Sequence, residues 1–333
     1  MKQSVFRQIN GIVLGSAIAV LAGSPALAQE KVTYNMSWLP QGSSSGIIVA
    51  QERGFFRELG LEVAIVRGYG GSRTANELDQ GQFEFGYVDP ISTILNRANG
   101  GRIKMVGAIN TRWPAAICWV VGRMQPKTLD DLRGKTLGGG SASVVHNIVP
   151  AWLEMNGKQS DLVKLVRMDP AVVDTSLIGG KIDLAECWKA SNRAVLQKLA
   201  RDAGVQVAWM EYADFGLNAY GSGFAASEAT IAAKPETVRK FLRGAYRGFE
   251  FSAANPEQAA DVIVKVFPAS DRNVVLAQTR EIAELINDPE VRAQGLGYMR
   301  EDRMRASLSF IGKAFQLKEP VKLEDVYTNS FLK

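Results

Sequence analysis

Residues 32–66 read VTYNMSWLPQGSSSGIIVAQERGFFRELGLEVAIV, and their order decides the fold. Val32–Trp38 is a short strand ending in Leu39-Pro40-Gln41-Gly42, a turn signal. Ser43, Ser44 and Ser45 then offer N-caps for a helix running to Leu59, with Ile48, Phe55, Phe56 and Leu59 on one face and Gly60 as the stop. Leu61–Val66 is a second strand. A strand, a helix and a second strand in so few residues predict a parallel βαβ unit.

The rhythm continues outward. Gly68–Ser72 is a glycine-rich corner, Arg73–Gln80 a helix and Phe83–Val88 a strand; Asp89-Pro90 then opens a helix ending at Gly100-Gly101. Ile117–Val121 is a buried strand, after which the pattern restarts: Lys135–Gly138 as a strand, Gly139-Gly140-Ser141 as a corner, and a helix over Ala142–Asn156 kinked by Pro150. Leu162–Met168, Ile182–Cys187 and Val205–Trp209 are further strands. From Pro235 the chain is nearly all helix, and Met304, Leu308, Ile311 and Phe315 form one apolar stripe. The expectation is an α/β protein with doubly wound, largely parallel sheets in two successive halves, and a helical tail that returns to the first.

Composition narrows the function. The 333 residues are 46% hydrophobic and 22% charged, as in an ordinary globular protein. One histidine and two cysteines give poor support to a zinc enzyme or a hydrolase triad, so neither catalytic residues, nor a metal, nor a cofactor is expected. Lys2 and Arg7, the apolar stretch Ile9–Ala22 and Ala26-Leu27-Ala28 read as a secretory signal cleaved after Ala28. The stretch is shorter than the roughly 20 residues a membrane span needs. Cleavage leaves 305 residues and lowers the net charge from +5 to +3, without the basic cluster that would mark a nucleic-acid partner. Export makes a bond between Cys118 and Cys187 conceivable, with two separate buried thiols as the alternative.

Trp38-Leu39-Pro40 followed by Gly46–Val63, then Leu129–Thr136, Gly180–Ala185, Gly295–Met299 and Val326–Asn329, resemble periplasmic solute-binding proteins of ABC importers. The branch is the one shared by thiamine-pyrimidine-precursor binders and taurine, alkanesulfonate and nitrate binders. The resemblance implies a type II-like two-lobed fold, a ligand in the cleft, a periplasmic monomer and an inner-membrane permease with a cytoplasmic ATPase as partner. It places lobe 1 at 29–117 and 222–333 and lobe 2 at 118–221, with crossings near 114–122 and 219–226. Pyrimidine synthases share the fold, but use an active-site histidine and lysine and an iron-binding cysteine-rich segment. A regulatory effector domain is disfavoured because no helix-turn-helix segment precedes the first lobe.

Ligands of open α/β sheets bind beyond the carboxyl ends of strands. This nominates 38–45, 70–72, 87–89 and 110–113 in the first lobe, and 139–143, 186–188 and 212–215 in the second. Within them, Trp38 and Trp188 are expected to sandwich a flat solute. Gly139–Ser143, with Ser141 and Ser143, is an anion seat, and Arg112 a partner for a carboxylate or sulfonate. Glu186 faces an amino-bearing ligand, while Ser44, Ser45, Ser72, Tyr87 and Asp89 line the first lobe. Asp89 doubles as an N-cap, and His146 is expected to be structural. In pyrimidine-binding relatives the first turn carries Asn and His, where this chain has Gln41 and serines. A thiamine-precursor pyrimidine, an aromatic carboxylate and a sulfonate all fit such a cleft.

Overall fold

The computed structural model describes residues 29–141 and 143–332; the expected signal segment, 1–28, lies outside the described residues. Among the described residues, ten strands fall into two five-stranded sheets. The first contains β1 (Glu30–Asn35), β2 (Leu61–Val66), β3 (Phe85–Val88), β4 (Ile103–Ala108) and β10 (Gly223–Ser227), in the order β2-β1-β3-β10-β4. The second contains β5 (Ala115–Val120), β6 (Thr136–Gly140), β7 (Lys164–Met168), β8 (Leu184–Trp188) and β9 (Val207–Glu211), in the order β7-β6-β8-β5-β9. Each sheet is a lobe.

The sheets are mixed rather than largely parallel. β1 is parallel to β2 and β3, whereas β10 inserts antiparallel between β3 and β4. In the second lobe β6 is parallel to β7 and β8, and β5 is antiparallel to β8 and β9. The whole of β5 belongs to the second sheet, and the chain passes between the sheets through 109–114 and 212–222.

Local departures have local causes. The first helix breaks after Glu52 because Gly54 takes a left-handed φ of 79°, and Phe55–Glu58 starts anew. Gly139 and Gly140 are not a corner; they finish β6 opposite Arg167 and Met168. A Cβ on Gly139 would sit 2.3 Å from Val145 Cγ1, so glycine there lets the helix Val145–Met155 lie close on the strand.

Lobe 1 is closed by the tail. The helix Pro235–Ala254 places Phe241 between Phe85, 4.0 Å away, and Phe56, 5.6 Å away, both rings nearly parallel to it. In lobe 2, Cys118 and Cys187 form a disulfide linking β5 to β8. The tail does not return to lobe 1 alone: on the helix Glu301–Ala314, buried Met304 and Ile311 share a core with Trp152 and Leu137 of lobe 2.

Candidate functional site

At the end of β1 the buried Asn35 amide fixes the chain. Its Nδ2 donates to Glu77 Oε2 (2.7 Å), and its Oδ1 accepts from the Ser37 amide (2.8 Å) and Thr74 Oγ1 (3.2 Å). Ser37 is forced to a φ of 64°, and its carbonyl accepts from the Gly70 amide at 2.7 Å. The ends of β1 and β2 are thereby tied, and Trp38 and Leu39 are turned outward, each 43% exposed. Ser44 is buried. Ser45, at the start of the helix Ser45–Glu52, is buried with no partner for its Oγ. Ser72 is exposed in the first turn of the helix Gly71–Asp79.

Tyr87 and Asp89 follow from the end of β3. The Tyr87 hydroxyl accepts from Asn110 Nδ2 at 3.2 Å, and burial pushes its phenol up to about 12. Asp89 caps the helix Pro90–Ala98, accepting from the Ser92 amide at 2.9 Å and Ser92 Oγ at 3.1 Å. Burial raises its carboxyl pKa. Asp89 is therefore occupied as a cap.

In lobe 2, Glu186 is buried at the end of β8, and Ser143 Oγ donates to its Oε2 at 2.5 Å. Burial pushes the carboxyl up to about 7, opposed by hydrogen bonds from the Ser143 and Trp188 side chains. The Tyr212 hydroxyl is buried without a partner, and its phenol is raised by burial and by the charge of Glu186. Asn192, which the sequence reading missed, organises this corner. It accepts from the Trp188 amide (2.9 Å) and donates to Asp174 Oδ1 (3.0 Å) and the Glu186 carbonyl (3.2 Å). Burial pushes Asp174, also missed, up to about 6.

Three of the expected site groups have partners within the chain. The glycine-rich anion seat is filled by its own backbone: the Ser141 amide donates to the Met168 carbonyl and the Ser143 amide to the Gly140 carbonyl, both at 2.8 Å. Ser141 itself is exposed. Arg112, on the first crossover, is ion-paired with Asp288 of the tail at 3.0 Å. Trp188 packs against Trp113, with ring centroids 5.2 Å apart and the planes tilted 58° to each other. His146 is structural as expected: its Nε2 lies 3.0 Å from the Gly140 carbonyl, and burial lowers its pKa, favouring the neutral ring.

The first crossover concentrates unsatisfied polarity. Asn110 Oδ1, Thr111 Oγ1 and Trp113 Nε1 are buried without partners. Thr111 and Trp113 line a cavity of about 280 Å³ between the lobes, with Lys189 and Glu211 from lobe 2 and Glu284 and Asp288 from the tail. Buried donors and acceptors left unpaired cost free energy, and a polar guest that meets them recovers it. A second hollow, of about 380 Å³, lies on the tail between Glu290 and Asp302.

Comparison with known proteins agrees with this architecture. The chain is 27% identical to the riboflavin-binding protein RibY of Chloroflexus aurantiacus over 91% of its length and 86% of the relative's. It is 22% identical to a formylaminopyrimidine-binding protein of Halalkalibacterium halodurans over 91% of each chain. A relative at 22% identity, over 73% of this chain and 72% of its own length, is a pyrimidine phosphate synthase of Aspergillus parasiticus. Among solved structures, the periplasmic aliphatic sulphonate-binding protein SsuA of Escherichia coli superposes with a TM-score of 0.67 at 16% identity, covering 90% of this chain and 91% of that one. The fold is that of periplasmic binding proteins. With the NMT1/THI5-like profile matching residues 41–259, the chain belongs to the NMT1/THI5-like family.

Proposed function

We propose that this chain is the extracytoplasmic solute-binding component of an ABC importer, and that its solute is a flat, uncharged nitrogen heterocycle of the flavin or pyrimidine kind. The observation that carries the reading is the cluster of buried, unpartnered groups on the first crossover: an acceptor at Asn110 Oδ1, a donor at Trp113 Nε1 and a hydroxyl on Thr111. A heterocycle edge alternates donors and acceptors in the same way.

Trp38 supplies an exposed aromatic side chain just past the end of β1, and Ser45 and Glu186 add polar groups from either lobe. With its carboxyl pushed up to about 7 and so about half protonated at pH 7, Glu186 can both donate to and accept from an amino- or carbonyl-bearing ring. The anionic alternative is weakened because Arg112 is compensated by Asp288 and the glycine-rich amides are taken. Relatives named for riboflavin and for a formylaminopyrimidine point the same way. Micromolar capture needs about −8 kcal/mol net, within reach of one stacked face, several edge hydrogen bonds and exclusion of water.

Calorimetry with riboflavin, a formylaminopyrimidine and the sulfonate MOPS tests the proposal. Saturable binding of a heterocycle, recovered chemically unchanged, is the expected result. Binding of MOPS alone, or conversion of the heterocycle to product, overturns it.

A further inference from the structure

Between β8 and the helix Asn192–Asp202, the corner Lys189-Ala190-Ser191 of lobe 2 rests on lobe 1. Its backbone is read almost atom by atom. The Ala190 amide donates to Glu281 Oε2 at 2.6 Å, and the Ala190 carbonyl accepts from the Ser43 amide at 3.1 Å. The Ser191 carbonyl accepts from Gln278 Nε2 at 2.8 Å, while Gln278 Oε1 accepts from the Gly42 amide at 3.0 Å. Gln41 Nε2 donates to Ser191 Oγ at 3.1 Å, and Lys189 Nζ lies 3.6 Å from Glu284. Glu281, Gln278 and Glu284 all belong to the tail helix Arg272–Ile286.

Two further observations mark the corner as built for this contact. Ala190 is fully buried with a left-handed φ of 58°, a conformation that residues with a Cβ adopt at a cost and that neighbours must impose. Gly42 has no room for a side chain, since a Cβ would stand 2.3 Å from Gln278 Cβ.

We infer that Glu281 and Gln278 are positioning residues, a clasp that grips the Ala190 corner, sets Trp188 and Glu186 against lobe 1 and holds the lobes together. That the clasp retains a solute rests on the proposed binding function; that it joins the lobes does not. Burial raises the Glu281 carboxyl pKa, and the hydrogen bond from the Ala190 amide opposes that shift by favouring the charged acceptor.

The test uses the full mature chain without ligand, following amide hydrogen exchange by NMR and the radius of gyration by X-ray scattering. In Glu281→Ala the Ala190 and Ser43 amides, on opposite lobes, are expected to exchange about tenfold faster together, with a larger radius of gyration. Glu281→Gln keeps an acceptor and is expected to restore most of the protection. Faster exchange at Ala190 alone, with Ser43 and the radius unchanged, means a local structural role and overturns the clasp. If Glu281→Ala loses its fold, Gln278→Ala carries the same readouts at Ser43 and Gly42. With riboflavin as probe, the clasp variant is expected to release it about tenfold faster at an association rate within about twofold. Failure of the unaltered chain to bind riboflavin counts against the ligand reading and leaves the exchange result to decide the clasp.

Discussion

Lobe 1 is assembled from two distant parts of the chain, and its core is phenylalanine: Phe56, Phe85 and Phe224 surround Phe241 from the tail. Lobe 2 is continuous from β5 to β9 and relies on different devices. It buries Trp152 against Tyr212, ties β5 to β8 by the Cys118–Cys187 disulfide, and pairs Arg193, 1% exposed, bidentately with Glu211 at 2.9 and 3.1 Å. A lobe closed by a returning helix obtains its cohesion from apolar area. A smaller continuous lobe, carrying buried Glu186 and half-buried Asp174, has charge to hide and uses covalent and ionic restraints instead.

The strongest way to break this contrast is Phe241→Ala. Truncating an aromatic clamped between two parallel rings is expected to cost about 3–5 kcal/mol. The loss should fall on lobe 1. Four of the six tryptophans, Trp119, Trp152, Trp188 and Trp209, lie in lobe 2, while Trp113 is on the crossover and exposed Trp38 in lobe 1, so in guanidinium unfolding the fluorescence transition, weighted to lobe 2, should lag the circular-dichroism transition in this variant. Coincident transitions would mean that the lobes unfold as one unit.

Removing the disulfide is the matching perturbation of lobe 2. The cross-link spans a sequence separation of 69, and the chain-entropy relation gives about 4 kcal/mol for a loop of that size. Cys118→Ala/Cys187→Ala is expected to lose about 2–4 kcal/mol, with the fluorescence transition now leading. An unchanged fluorescence midpoint would show that the buried packing around β5 and β8 suffices without the bond.

A third measurement separates lobe 2 by pH. Glu186 has a folded pKa of about 7 against an ordinary 4.5. Its folded form holds the proton more tightly than the unfolded form, so the associated stability is full below about pH 4 and is lost as pH rises through 7. The difference amounts to about 3 kcal/mol. Glu186→Gln is expected to be the more stable protein at pH 8 and to match the parent near pH 4. Asp174, raised to about 6, leaves a residual slope of the same sign. Equal stability of parent and variant across pH 4–8 would show that water reaches the carboxylate.

Much of the contrast was written locally, and the rest was not. The unit β1–helix–β2, the Asp89 cap and the structural His146 were readable because each depends on residues a few positions apart. β10 was not, since Gly-Phe-Ala-Ala-Ser carries little strand signal and is held by pairing with β3 and β4 from over a hundred residues earlier. Gly139-Gly140 reads as a turn by propensity, and only the approach of Val145 explains its place in a strand. The site suffered most where partners are remote. Arg112 finds Asp288 at a separation of 176, and Trp188, at the end of β8, meets Trp113 just before β5. Residue type announced these groups, but only the fold shows which are already spent.

That distinction supplies the smallest effects and the finest test of the site. Trp38 and Arg112 were both expected to hold solute, and both are substantially exposed, at 43% and, for the Arg112 side chain, 62%. Neither should matter much to folding: Trp38→Ala loses little packing, and an exposed ion pair such as Arg112–Asp288 contributes about 0–1 kcal/mol. Their binding effects should diverge. Trp38 has an aromatic face in solvent beside the strand ends, so Trp38→Ala is expected to weaken heterocycle binding about tenfold, close to the worth of one stacked ring. Arg112 already has its counter-charge, and Arg112→Ala is expected to leave affinity within about twofold, which calorimetry resolves. Should Arg112→Ala abolish binding while Trp38→Ala does not, the ion pair opens to receive an anion, and the solute carries a negative charge.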